Sequence, residues 1–267
     1  MGGRHAKRTT WRRRGMAGTT VLAALAVTVW VVSFLRHGGC AAAEADPAVT
    51  GRAMYYQGTD GHCSISGGEL YASVSSGEYA GSRLCGGYLD VTGPRGTVRV
   101  QVVDSCPSCR SGEVDLSRAA FARIADPGAG VTEVVYRTVR NPELTRGLAF
   151  RVHEGSTAGW LALQVIDHGN PLSGVELRRD DEWHALDRGS DGYWVAPRGA
   201  GDGPFQLRVS DVHGQRATVE GVGLAPGRVQ RTAVRLYEGA KAAEAVTASP
   251  PAPTPLPLSA EGVRRRC

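Results

Sequence analysis

The sequence predicts a mostly β protein: an export segment, two small β units and a tail without a core. Three observations carry this. Short runs rich in Val, Thr and Tyr recur between glycine-rich turns from residue 51 to about 237, the spacing of barrels and sandwiches. Asn141-Pro142 breaks them into two stretches, each near the roughly 100 residues that suffice to bury a core. After Gly239 the chain reads EAVTASPPAPTPLPLSAEG, a composition that cannot bury a core and is expected to stay disordered.

Taken in chain order, residues 19–35 (TTVLAALAVTVWVVSFL) carry no charge and follow a strongly basic stretch. That is an export signal, cleaved near Ala43 to Ala45 or kept as an N-terminal membrane anchor. The Arg12 to Arg14 cluster lacks the apolar pair of a twin-arginine signal, so ordinary secretion is expected. Cys40 follows Gly38-Gly39, but Arg36 and His37 stand where a lipidation signal has aliphatic residues. The first unit, 46–142, has strand patterns at 52–56, 88–91, 97–103 and 131–139. Residues 97–103 (TVRVQVV) alternate as a half-buried strand does, behind a Gly-Pro turn. A helix is expected at 117–125, capped by Ser117, with Ala120, Phe121 and Ile124 as its apolar stripe. The second unit, 143–239, has strand patterns at 149–153, 161–166, 174–178, 193–196, 205–210 and 229–236, enough for a sandwich. Residues 240–267 form the tail, and Cys267 at its end has no assigned role.

Charge narrows the partners. The first forty residues hold seven basic side chains and no acid, and the last 27 add a net two, which leaves 41–240 at −4 against a total of +5. A mildly acidic globular part has no basic face for phosphates, so no nucleic-acid partner is expected. A monomer is expected, in contact with membrane only through its N-terminal segment. In an oxidising compartment Cys63, Cys85, Cys106 and Cys109 are expected to form two disulfides. Three pairings are open, and a four-thiolate zinc site would need a second close pair, which Cys63 and Cys85, 22 apart, do not make. No metal or cofactor is expected.

The densest chemical signal is Val102-Val103-Asp104-Ser105-Cys106-Pro107-Ser108-Cys109, then Val114-Asp115-Leu116-Ser117. Both carboxylates interrupt apolar runs, so their side chains are expected at the rim of a core. Desolvation there raises an acid's pKa and suits it to protonate a glycosidic oxygen or hold a sugar hydroxyl. The same residues also read as a helix cap (Asp115) and a turn anchor (Asp104).

Together with Gly51-Arg52-Ala53-Met54-Tyr55-Tyr56 and the helix containing Phe121, these runs resemble the six-stranded double-psi β-barrel of the expansins. Residues 150–156 (FRVHEGS), 160–165 (WLALQV) and 209–214 (VSDVHG) resemble the immunoglobulin-like, carbohydrate-binding β-sandwich of that family. The resemblance implies a secreted or cell-surface protein that binds cell-wall polysaccharide, cellulose or another glucan or peptidoglycan, and loosens it without hydrolysis. Asp115 takes the place of the aspartate on which loosening depends, and Asp104 that of the family's second acid. Met54 stands for the family's threonine and Cys106 for a groove tyrosine, with Tyr55 or Tyr56 to compensate. Trp160 matches one ring of the family's three-aromatic platform. Gly159 and Asp191 fall at the other two, and Tyr193 is the substitute, while Trp183 and Trp194 are expected in the core. An inverting hydrolase needs a second carboxyl as base; Asp60 is the nearest, in a Thr-Asp-Gly turn. The barrel alone also occurs in lytic transglycosylases, endoglucanases and secreted inhibitors. Two rival readings follow: a transglycosylase or weak endoglucanase using Asp115 as acid, and a binding or inhibitor module.

Overall fold

The computed structural model describes residues 46–58 and 61–238. The export segment, Cys40, Thr59, Asp60, the Ala/Pro-rich tail and Cys267 lie outside the described residues. The first six strands are β1 (Val49–Tyr56), β2 (Tyr71–Ser75), β3 (Tyr88–Gly93), β4 (Gly96–Cys106), β5 (Glu113–Ser117) and β6 (Thr132–Thr138). They close a barrel in the order β1-β5-β2-β4-β3-β6. β1 with β5, and β2 with β4, run parallel. The other four pairings are antiparallel. This is the six-stranded double-psi barrel.

Alternation fills its interior. Val98, Val100 and Val102 point inward from β4 while Thr97 and Arg99 face water. Ala72, Val74, Leu89, Val91, Val114 and Leu116 join them. A single turn, α1 (Ser76–Tyr79), follows β2, and α2 (Arg118–Ile124) follows β5. Helix α2 seats Phe121 and Ile124, both fully buried, against the barrel. Its cap is Ser117, whose hydroxyl accepts the Ala120 N–H at 3.1 Å. Asp115 therefore is not spent on capping. Strands β2 (YASVS) and β5 (EVDLS) were not among the expected strands. Each turns only two apolar residues inward, too short a signal against the largely polar face that alternates with them.

The second unit has nine strands: β7 (Ala149–Val152), β8 (Leu161–Ile166), β9 (Leu172–Arg179), β10 (Glu182–Ala185), β11 (Asp187–Arg188), β12 (Trp194–Ala196), β13 (Phe205–Asp211), β14 (Arg216–Val222) and β15 (Val229–Arg231). They form a four-stranded sheet, β10-β9-β13-β14, and a five-stranded sheet, β11-β12-β8-β7-β15. Phe150, Leu161, Leu163, Trp194, Leu207 and Val209 fill the space between. Trp194 is in the core as expected, but Trp183 is not. It sits on edge strand β10 opposite Arg178, which points away from inward Leu177. Its ring instead carries the guanidinium groups of Arg208 and Arg178, at 4.3 and 5.8 Å.

The barrel and the five-stranded sheet meet at the Cys63–Cys85 disulfide. Gln164, 1% exposed, donates to the Cys63 carbonyl at 2.7 Å. Arg151 donates to the Ser64 carbonyl. From the barrel side Tyr79 donates to the Ser190 carbonyl, and Ser82 to that of Gly189 at 2.7 Å.

Candidate functional site

Residues opposed in register share a face of the sheet. Met54 pairs with Asp115, Asp115 with Ser73, and Ser73 with Asp104. The outer face of β1-β5-β2-β4 thus carries a row Met54, Asp115, Ser73, Asp104. By strand spacing alone, the two acids' backbones lie about 10 Å apart, on either side of Ser73. Asp104 joins this row through a bulge. Simple alternation after Val98, Val100 and Val102 would turn it inward, but the β2–β4 register slips between Ala72 and Ser73 and leaves Val103 as the extra residue. Such an insertion re-aims the next side chain.

The bulge is held by the chain that packs on it. The Cys63 N–H bonds the Val103 carbonyl at 3.1 Å. Gly61 passes so close that a Cβ there would lie 2.1 Å from that same oxygen, so only glycine fits. Asp104 then accepts from the His62 N–H at 2.7 Å and the Ser105 N–H at 2.8 Å, with the His62 ring nitrogen at 2.8 Å. Its role as a turn anchor and its place in the row are one arrangement.

Asp115 is held differently. It is half-buried, and burial first, then the Glu113 carboxylate, pushes its pKa above the usual carboxylate range. The Cys106 Sγ lies 3.5 Å from one of its carboxylate oxygens. Cys106 is bonded to Cys109, so neither sulfur is a thiolate able to hold a metal beside Asp115. Glu113 is tied up: it accepts the Arg110 N–H at 2.9 Å and the Arg52 guanidinium, which hold its carboxyl below the ordinary range.

Two tyrosines wall the row. Tyr56 pairs in register with buried Ser117, and its ring lies 5.5 Å from that of Tyr71, nearly perpendicular to it. Burial, then Asp104, raises the Tyr56 hydroxyl pKa. Tyr55, one of the two expected groove tyrosines, is corrected by one residue of phase. It pairs with Leu116 and packs on Phe121 at 5.1 Å with Arg118 over its ring, so Tyr56 is the tyrosine beside Asp115.

Past Asp104 a track of aromatic side chains, with Tyr79 among them only 6% exposed, leads toward the sandwich. His62 lies 6.5 Å edge-on from Tyr79, whose hydroxyl pKa is pushed up to about 12 by burial, then Asp104, then Asp191. On the sandwich, His153 stands edge-on to both Tyr193 (5.1 Å) and Trp160 (5.6 Å). Trp160 is 36% exposed on a tight loop closed by its bonds to Thr157. Gly199 supports that loop: at φ +74° its missing Cβ would lie 2.0 Å from the Ala158 carbonyl. Tyr193, the expected substitute ring, is 8% exposed. Its face is not open to a sugar: His153 stands edge-on to it and the Arg151 guanidinium lies over it at 5.9 Å. Sequence reasoning missed Tyr71, Ser73, His62, Tyr79 and His153. Only strand phase could have singled out Ser73 and Tyr71; the others depend on contacts between distant segments.

Fold and site define a two-part protein with an acidic groove on a double-psi barrel, continued by aromatic side chains on a sandwich. Residues 48–136 match the family model described as lytic transglycolase. The chain is 33% identical over 132 residues to Expansin-YoaJ of Bacillus subtilis, covering 49% of this chain and 56% of that one. It is 35% identical over 138 residues to Expansin-B17 of Oryza sativa subsp. japonica, 46% of this chain and 50% of the relative. It thus spans about half the length of these curated relatives. The crystal structure of a mutant Clavibacter michiganensis expansin in complex with cellohexaose is 42% identical, with a TM-score of 0.69, covering 72% of this chain and 99% of that one. The chain belongs to the expansin family as a bacterial expansin-like protein.

Proposed function

We propose that this is a secreted protein that lays a wall polysaccharide, cellulose or another glucan or peptidoglycan, along the row and track from Asp115 to Trp160. It loosens the polymer's packing without cutting it. The observation that carries this reading is the contrast among the acids. Asp115 alone has a carboxyl with a raised proton affinity and no charged partner, while Asp104 and Glu113 are engaged in structural bonds. Among the described residues of the row, no second, free carboxylate is placed to activate water. The cellohexaose held by the Clavibacter relative makes a neutral glucan the first polymer to test.

A transglycosylase reading needs one acid and no water, and the matched family model carries that description. The two separate on product. Incubation with cellulose, xyloglucan and peptidoglycan is expected to release no new reducing or anhydro ends. Release that disappears in Asp115→Asn would establish the transglycosylase instead.

Trp160→Ala is expected to weaken retention on the preferred polymer severalfold, since one aromatic contact contributes about 1 kcal/mol beyond its area. Pull-down with equal protein amounts reads the change. Unchanged retention would move binding to the barrel.

A further inference from the structure

Between the barrel and the five-stranded sheet, outside the Asp115–Trp160 track, opens a crevice of about 640 Å³, within the usual range of small-ligand sites. None of the track residues lines it. Ile65, Leu70 and Tyr88 face it from the barrel, and Ile166 and Val229 from the sandwich, giving walls suited to the C–H faces of a sugar ring. Four arginines reach it against two acids, Glu69 and Asp167.

Three of these arginines have carboxylate partners. Arg99 forks onto Asp90 at 2.8 and 2.9 Å. Arg146 and Arg231 share Asp167, at 3.5 and 2.8 Å. Arg151 has no carboxylate at ion-pair distance among the described residues. Its hydrogen bonds go only to the neutral Ser64 carbonyl and Gln164 Oε1, its guanidinium lies over the Tyr193 ring at 5.9 Å, and its Nε is buried with no acceptor. A buried guanidinium N–H left unmet is costly, and so is an uncompensated charge. The planar fork of a guanidinium matches a carboxylate.

We infer that this crevice binds a carboxylate-bearing sugar, a uronic-acid unit of an acidic polysaccharide, with its carboxylate on Arg151 and its ring against the apolar walls. The protein then holds two chemically different chains at once, a neutral one on the track and an acidic one behind it.

The test titrates the full chain with trigalacturonate, its methyl ester, inorganic phosphate and cellohexaose. Trigalacturonate is expected to bind saturably and the ester not at all. Arg151→Gln and Ser66→Glu are each expected to weaken trigalacturonate at least tenfold. Ser66 is an exposed residue of the crevice loop, so its acidic variant keeps the Arg151 bonds and tests the charge even if Arg151→Gln unfolds. Cellohexaose binding should be unaffected by Ser66→Glu, which separates failure here from failure of the track. Equal binding of the ester, displacement by phosphate at equal concentration, no saturable binding, or indifference to Ser66→Glu would overturn the inference.

Discussion

Replacing Asp115 with asparagine is expected to abolish wall loosening while leaving the barrel folded. The substitution keeps the side chain's shape beside Cys106 and Ser73 and removes only the titratable proton. Its effect on stability has a definite sign. Burial raises the folded-state pKa of Asp115, so between the unfolded and folded values the native state binds the extra proton, and wild-type stability falls as pH rises through that window. At neutral pH the asparagine variant is expected to melt at or above wild type, and the two should converge below the unfolded carboxyl pKa of about 4. Loosening by wild type should strengthen as pH falls toward the raised pKa, because the protonated form can donate to a glycosidic or hydroxyl oxygen. Creep or tensile assays of wall strips across pH, with melting curves, check both halves. Full loosening by Asp115→Asn, or wild-type activity that grows with pH, would defeat the assignment.

The second large effect concerns the junction. Replacing Cys63 and Cys85 together by alanine removes a cross-link across 22 residues, a loop for which chain entropy alone gives about 3 kcal/mol. In a protein of this size that corresponds to a melting temperature lower by roughly 6–12 °C. The loss should exceed that from Cys106 and Cys109, whose separation of 3 closes a far smaller loop. Paired melting curves of the two double variants decide it. An equal or reversed order would mean that strain or packing, not loop closure, governs these bridges.

Much of this was legible in the sequence, and the failures share a cause. Strands with three or more alternating valines, such as β4, announce themselves because one face is buried. Strands β2 and β5 do not, since in each the groove-facing half is largely polar and only two small or medium apolar residues turn inward. Asp104 and Asp115 stood out as acids interrupting apolar runs. The row joining them did not, because it depends on a bulge at Val103 that reverses the phase of β4. Tyr55 was paired with the groove for the same reason in miniature: a shift of one residue exchanges the two faces of a strand. Trp183 misled through its size, since an edge strand can satisfy a large ring with arginines instead of a core. His62, Tyr79 and His153 come from separate segments, and no local pattern brings them to one line.

The bonds from Gln164 and Arg151 to the carbonyls of Cys63 and Ser64 set the barrel and the sheet at one spacing, like the fixed jaws of a gauge. A polymer long enough to reach both jaws meets the second as an intramolecular partner, at an effective concentration no free fragment enjoys. On the proposed reading, an oligomer too short to span the two parts is expected to gain only one set of contacts. If the proposed binding along the track holds, retention on the wall is expected to rise with chain length, stronger for intact strands than for trimmed ends. On that reading the protein is expected to stay where the polymer is continuous and to leave where it has been cut.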